Sequence, residues 1–463
     1  MNQSRIFVNR VDELKTLNTV YKKQGFSLVL ITGRRRIGKS RLIEEFLKDK
    51  EGLRVQFEKR KPMQNLMKFN KMISRYFDIP EVKYTNFSDS FEFFRKQVKQ
   101  KRIILALDEF SYLIRYSDAF AEFQSIVDEI LNDSNIMLII SGSALSLLKR
   151  SFFSYTSPLY GRSDATIFLQ PLKFKHLFEW FPMADVESLI KLYSVVGGIP
   201  RYLEFFEARN IDNEIQHNFF DPSSFLFREA KELFEEEFDE PEMYFSIVEA
   251  ISHGNTRVTD IANYCFAEAK NISKYLKILS DLEIIRREFP IFSKKKKGGI
   301  YQIIDNYFLF WFRFVSKYFE DIESGYPDEA INDFSKYFNT FLGVTFERIV
   351  KEILIDFGRH NLLPFKPKKI GRWWYKDSEI DLVIANENRL LLFEVKWTDL
   401  SKSDVSRIID LLKEKSQIFK DKQIVYGVFA RHIDKKQDLK DEYLIFDLND
   451  ILAFYGKNKA IFK

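Results

Sequence analysis

Gly33-Arg34-Arg35-Arg36-Ile37-Gly38-Lys39-Ser40 follows the apolar run Phe26 to Ile31 and leads into the helical pattern Arg41 to Leu47. Strand, glycine loop, helix is the setting in which the spacing G-x-x-x-x-G-K-S makes a phosphate cradle. Gly33 and Gly38 permit backbone angles that turn successive amide N–H groups of Arg34, Arg35, Arg36 and Ile37 toward one anion. The helix beginning near Lys39 adds the positive end of its dipole, with Arg41 in its first turn. Lys39 then reaches the β- and γ-phosphates of a nucleotide, ATP or ADP, and Ser40 supplies a hydroxyl for Mg2+. The competing account is a glycine turn that merely precedes a helix.

A second run places acids where such a loop needs them. Ile103-Ile104-Leu105-Ala106-Leu107-Asp108-Glu109 is a short apolar segment ending in two carboxylates, the form of a buried parallel strand delivering side chains at its C-terminal edge. That edge is where a nucleotide-binding sheet holds its ligand. Asp108 is expected to hold the magnesium ion through its water shell and Glu109 to orient and deprotonate the attacking water. Ile136 to Ile140 reads as another strand, after which Ser141 either senses the γ-phosphate or caps a helix over Ala144 to Lys149. Ala165 to Leu169 reads as a fifth strand. Arg162 ahead of it is either an arginine finger, in cis or in trans, or a solvated loop residue.

At 463 residues the chain exceeds one hydrophobic core, and 45% hydrophobic with 30% charged residues is a soluble globular composition. The 48 phenylalanines are expected to fill cores, with exposed stacking platforms for nucleic acid the lesser alternative. A net charge of +5 permits nucleic acid without requiring it. The one cysteine, Cys265, excludes an internal disulfide and a cysteine-based zinc site, which suits the cytoplasm. The start lacks the apolar core of a signal peptide, and no run is long enough to span a membrane.

From Pro171 to about Phe238 the pattern is helical, broken at Gly197-Gly198-Ile199-Pro200, and is expected to form a lid in which Arg201 touches phosphate. Pro241 to Ile304 has the rhythm of a winged helix: helices to about Ser252, over Thr259 to Cys265 and over Asn271 to Asp281, then strands Glu283 to Phe289 and Ile300 to Ile304. Lys270, Lys274 and Lys277 on the third helix, with Lys294 to Lys297 at the hairpin tip, either contact DNA phosphates or keep an exposed module soluble. A winged helix also serves as a protein-interaction module. Tyr307 to Tyr318 is apolar all round and is expected to be buried.

The last third carries a different chemistry. Glu379 to Ile384 and Leu390 to Lys396 read as a hairpin turning at Asn386-Glu387-Asn388-Arg389. Alternation puts Glu394 and Lys396 on one face, and the hairpin brings Asp381 opposite them. Two carboxylates beside a lysine can hold a divalent metal next to a hydrolytic water, with Glu347 from the helix Phe341 to Leu354 as a third oxygen ligand. Ordinary surface glutamate-lysine pairs follow the same alternation, but the apolar flanks here point to a buried strand.

With these residues in view, the chain resembles the archaeal ATPase family carrying a C-terminal nuclease-like domain of the DUF234 type. The resemblance rests on Phe7-Val8-Asn9-Arg10, the glycine loop, Leu107-Asp108-Glu109, Pro158-Leu159-Tyr160-Gly161-Arg162, Gly197-Gly198-Ile199-Pro200, Asp305-Asn306 before Phe310-Trp311-Phe312-Arg313-Phe314, and Arg372-Trp373-Trp374. It implies an AAA+ or STAND-like ATPase, with Arg10 among the nucleotide-binding residues. It also implies a PD-(D/E)xK nuclease fold whose acids and lysine match Asp381, Glu394 and Lys396. The proline that usually precedes the metal acid is absent, Ile380 standing in its place.

The expected architecture is α/β: a phosphate-loop core with a parallel sheet over residues 1–170, a helical lid over 171–238, and a winged helix over 239–305. Connecting helices over 306–335 and a restriction-endonuclease-like domain over 336–463 complete it. The expected function is ATP hydrolysis coupled to DNA binding and a metal-dependent nuclease. The alternative is a nucleotide-gated module with little turnover and an inactive nuclease fold that recognises a partner. Oligomeric state is not legible.

Overall fold

The computed structural model describes residues 7–143, 161–293, 298–420, 422–439 and 442–456. The helix expected at Ala144 to Lys149, the Pro158-Leu159-Tyr160 part of the motif ending at Arg162, and Lys294 to Lys297 lie outside them. The chain divides into two compact units, one of Arg10–Pro171 and the other of Leu172–Lys463 with Met1–Asn9.

In the first unit five strands, β1 (Ser27–Thr32), β2 (Gly52–Gln56), β3 (Ile103–Asp108), β4 (Ile136–Gly142) and β5 (Ala165–Phe168), form one sheet in the order β2-β3-β4-β1-β5. Every pairing is parallel. Every residue of β1, β3 and β4 is buried, as continuous apolar runs demand when helices cover both faces. Phe57, Phe69, Phe91, Phe94, Phe110 and Phe123 pack into one cluster under the helices Pro62–Tyr76 and Phe87–Val98. Core filling accounts for these rings. The order matters for function because β4 separates β1 from β3, so whatever joins the glycine loop to Asp108 passes a residue of β4.

The second unit begins with helices, among them Val186–Val196, Pro200–Leu203, Ile211–Phe219 and Phe225–Glu237. The helices Pro241–Ser252, Val258–Tyr264 and Ala269–Asp281 precede an antiparallel hairpin of β6 (Ile285–Glu288) and β7 (Ile300–Ile303). The aromatic helix Asn306–Phe314 is buried. Trp311 is fully enclosed with its indole N–H donating to the Phe227 carbonyl at 2.8 Å, and the Tyr307 hydroxyl donates to Leu226 at 2.9 Å.

A 32-residue helix, Asp328–Arg359, then leads into β8 (Lys369–Tyr375), β9 (Ser378–Ala385), β10 (Arg389–Leu400), the helix Lys402–Ser416, β11 (Gln423–Ile433) and β12 (Leu444–Phe446). The sheet order is β12-β11-β10-β9-β8, antiparallel from β8 to β10 and parallel from β10 to β12. The boundary expected at 335/336 falls inside the long helix. No proline interrupts it after Pro327, and Phe334, Phe338 and Phe341 extend one apolar stripe across that point.

Polar contacts tie the early helices of this unit to its late ones. Glu352 accepts from the Phe174 N–H and from the Tyr193 hydroxyl, both at 3.1 Å. Thr345 Oγ1 donates to Ser194 Oγ at 2.8 Å, and Asn306 Nδ2 donates to the Tyr193 carbonyl at 2.7 Å.

Candidate nucleotide site and acid hairpin

The glycine loop leaves the C-terminal end of β1 and closes on the helix Lys39–Leu47. Gly38 sits at φ 95°, in the left-handed region that a side chain resists, and serves as the N-cap. At Gly33 a Cβ would lie 2.6 Å from the Leu169 carbonyl oxygen, so only glycine lets the loop pass there. Lys39 is buried, its Nζ donating to the carbonyls of Gly33 and Arg34 at 3.0 Å each. The lysine therefore spans the mouth of the loop that its own helix completes.

Arg10 is buried beneath that loop and donates to the Ile37 carbonyl and to Glu13, both at 3.3 Å. Burial holds its guanidinium below its ordinary value. Arg36 takes a left-handed φ of 67°, Arg35 donates to the Tyr112 hydroxyl at 2.9 Å, and Arg41 pairs with Glu44 at 3.6 Å.

The acids converge from two strands away. Ser40 Oγ donates to Asp108 Oδ2 at 2.7 Å, and Ser141 Oγ, from the intervening β4, donates to Asp108 Oδ1. Burial alone would raise the Asp108 carboxyl. The Ser141 and Ser40 hydroxyls and the Arg54 guanidinium outweigh it and hold the group below its ordinary value. Glu109, at φ 54°, turns out of the strand. Its Oε1 lies 3.9 Å from Lys39 Nζ and its Oε2 accepts from Ser143 at 3.1 Å. Lys39, Ser40, Asp108, Glu109 and Ser141 thus stand together.

Of the other expected arginines, Arg162 lies in the same unit and Arg201 in the second one. Arg162 lies three residues ahead of β5, where Asp164 and Leu28 exchange hydrogen bonds at 2.8 and 3.0 Å, and it pairs with Asp128 at 3.0 Å. That is the edge where the strands begin, whereas the loop leaves the edge where they end. A finger acting in cis does not fit this placement. Arg201 belongs to the other unit, where it pairs with Glu204 at 2.6 Å and lies over the Phe205 ring at 4.8 Å.

Arg54 and Ser143 were not singled out from the sequence. Arg54 donates to Asp108 Oδ2 through Nη2 at 2.6 Å and Nε at 3.0 Å, and to Glu44 at 2.8 Å. The one charged residue of β2, between the buried Leu53 and Val55, was the available signal. For Ser143 it was the two-residue spacing from Ser141.

In the second unit β9 and β10 form the expected hairpin, with Leu382 opposite Phe393. Asp381 is buried and accepts from the Val395 N–H at 2.9 Å. Lys396 Nζ lies 2.8 Å from Glu394 and 3.6 Å from Asp381, while Lys415 lies 3.7 Å from Glu394. Burial, then Glu394, pushes the Asp381 carboxyl up. Burial opposes the charge on Lys396, but Asp381 and Glu394 prevail and raise it. Glu347 is pushed up to about 7, by burial first and by Asp381 second, with Arg372 opposing. Among the described residues no group of three or more His, Cys, Asp or Glu is placed to hold a metal ion, so Glu347 does not close a three-acid cage with Asp381 and Glu394. Glu394 Oε2 is buried without a hydrogen-bond partner, and the Lys415 ammonium at 3.7 Å is an ion-pair partner for it.

The family described as an ATPase domain predominantly from Archaea matches residues 7–206, and one described as archaeal and bacterial proteins of unknown function matches residues 311–408. An uncharacterized protein of Methanocaldococcus jannaschii is 38% identical over 459 residues, 96% of this chain and 100% of its own length. The chain belongs to the archaeal ATPase family. It is a nucleotide-binding ATPase. An uncharacterized ATP-binding protein of the same organism is 41% identical over 46 residues, 10% of this chain and 78% of its own. In fold the archaeal ATPase is similar to the Walker-type ATPase of Pyrococcus abyssi, with a TM-score of 0.50 at 20% identity over 66% of this chain and 96% of that one. No described helix is long and apolar enough to cross a membrane.

Proposed function

We propose that this ATPase couples nucleotide turnover to DNA held by its second unit, which carries a metal-dependent nuclease site. At the nucleotide site Ser40 and Asp108 would hold Mg2+, and the fit rests on their meeting at 2.7 Å as an all-oxygen donor set. Lys39 would leave the loop carbonyls for the β- and γ-phosphates, and Glu109 would take a proton from the attacking water. Arg162 is a candidate for a neighbouring copy's nucleotide, and Arg201 for phosphate contact.

The three helices from Pro241 to Asp281 and the β6/β7 hairpin support a winged-helix reading. Lys270, Lys274 and Lys277 are all exposed on the third helix, at a spacing that puts them along one face toward a phosphate backbone. In the nuclease-like part Asp381 and Glu394 would hold the metal and Lys396 would orient the water, with Glu347 nearby as a proton acceptor. When bound at either site, a divalent cation supplies positive charge against phosphate oxygens.

The observation that carries the nuclease reading is Lys396 set between Asp381 and Glu394 on one hairpin, within a helix–three strands–helix–strand order. DNA incubated with magnesium or manganese is expected to be cut by the wild type and spared by Asp381→Ala and Lys396→Ala. Equal cutting by all three, or by none, rejects the nuclease and leaves the ATPase standing.

A further inference from the structure

Asp108 has more donors than its oxygens have places. Oδ2 accepts from Ser40 Oγ at 2.7 Å and from Arg54 at 2.6 and 3.0 Å, while Oδ1 accepts from Ser141 Oγ and from the Glu109 N–H at 3.1 Å. An ionised carboxylate offers about four acceptor positions, so the set is full. Waters of a hydrated cation reach Asp108 only if one donor departs.

The donors differ in how freely they can leave. Ser40 is on the first turn of the loop helix, Ser141 is buried within β4, and the Glu109 amide is main chain. Arg54 ends a long flexible side chain, and a second carboxylate is already within its reach. Glu44 Oε1 accepts from Arg54 Nη1 at 2.8 Å. Glu44 lies four residues after Ser40 on the same helix face and is more exposed than Asp108, which is wholly buried. Retreat onto Glu44 therefore keeps the guanidinium paired while freeing the buried oxygen.

We propose that Arg54 is the counter-ion that occupies Asp108 in the metal-free protein and that binding of the magnesium nucleotide displaces it toward Glu44. Arg54 is thus a positioning residue that sets how much magnesium the site requires. It keeps the buried carboxylate paired between turnovers, since removing one partner of such a pair is costly. The role rests on the nucleotide site described above, so the test reads metal dependence separately from nucleotide binding.

Wild type, Arg54→Met and Glu44→Gln are titrated with magnesium at fixed N-methylanthraniloyl-ADP, following fluorescence, and their unfolding midpoints are recorded without metal. Arg54→Met is expected to lower the half-saturating magnesium about tenfold, the worth of a charge-assisted hydrogen bond, and to lower the metal-free midpoint. Glu44→Gln, which removes the charged refuge, is expected to raise the half-saturating magnesium. An Arg54→Met protein with the wild-type far-UV spectrum whose magnesium requirement is unchanged or higher would overturn the proposal. Failure of the wild type to bind the analogue at any magnesium concentration would remove the nucleotide site itself, and this role with it.

Discussion

Ser143 Oγ donates a hydrogen bond to Glu109 Oε2 at 3.1 Å while Lys39 Nζ stands 3.9 Å from the other oxygen of the same carboxylate. The glutamate expected to activate water is thus aimed from both sides. Ser143→Ala leaves the phosphate contacts of the loop in place and removes only the aim. Its kcat is expected to fall about tenfold with KM for ATP little changed, whereas Glu109→Gln loses about a hundredfold or more in kcat. Steady-state phosphate release checks both. A Ser143→Ala enzyme whose KM rises while kcat holds would assign the serine to binding.

Glu347 should make the second unit sensitive to pH. It titrates at about 7 when folded against an ordinary 4.5, because burial and the Asp381 charge both disfavour its ionised form. The folded state holds this proton more tightly than the unfolded one, so stability falls as pH rises through the window from about 4.5 to 7. The full effect is at most about 3 kcal/mol. In metal-free buffer the urea midpoint is expected to drop from pH 5 to pH 8 in the wild type, and Glu347→Gln is expected to flatten that drop. Parallel slopes for the two proteins would contradict it.

Lys270, Lys274 and Lys277 set a measurable salt dependence. If each neutralises a DNA phosphate, replacing all three by glutamine lowers the slope of log affinity against log salt by about 2.7 in magnitude. The replacement is expected to weaken binding to unrelated duplexes alike. Anisotropy at a series of salt concentrations provides the reading. An unaltered slope would move DNA off this helix.

Trp311 is fully enclosed between helices, and its N–H is paired with Phe227. Trp311→Ala removes a large ring and the second hydrogen bond to that helix carbonyl, for an expected loss of about 3–5 kcal/mol in urea unfolding. The cavity belongs to the second unit, so the loss should appear in the transition that exposes its aromatic core. A loss below about 1 kcal/mol would mean that the ring's surroundings collapse to fill the space.

The loop from Gly33 to Ser40 and the Asp108-Glu109 pair were legible because each is local: glycine spacing, apolar run, carboxylate at the end. The Asp381, Glu394 and Lys396 hairpin was legible for the same reason, since strand alternation and one turn bring those residues together. Arg54 was not, because its role depends on β2 lying beside β3, a fact of sheet order that no short window contains. Arg162 shows the same limit. Its motif was readable, but the edge of the sheet on which it lies was not. The 335/336 point lies inside the helix Asp328–Arg359, whose length no short window of sequence announces.

The shared carboxylate of Glu352 bears on how such a chain can be recombined. Phe174 and Tyr193 are bonded to a side chain more than 150 residues downstream. An exchange of tails between two members of the family at the start of the helix Asp328–Arg359 would part those donors from their acceptor, whereas a crossover just after Pro171 would carry both ends of the bond together. Chimeras joined at that proline should inherit an intact second half.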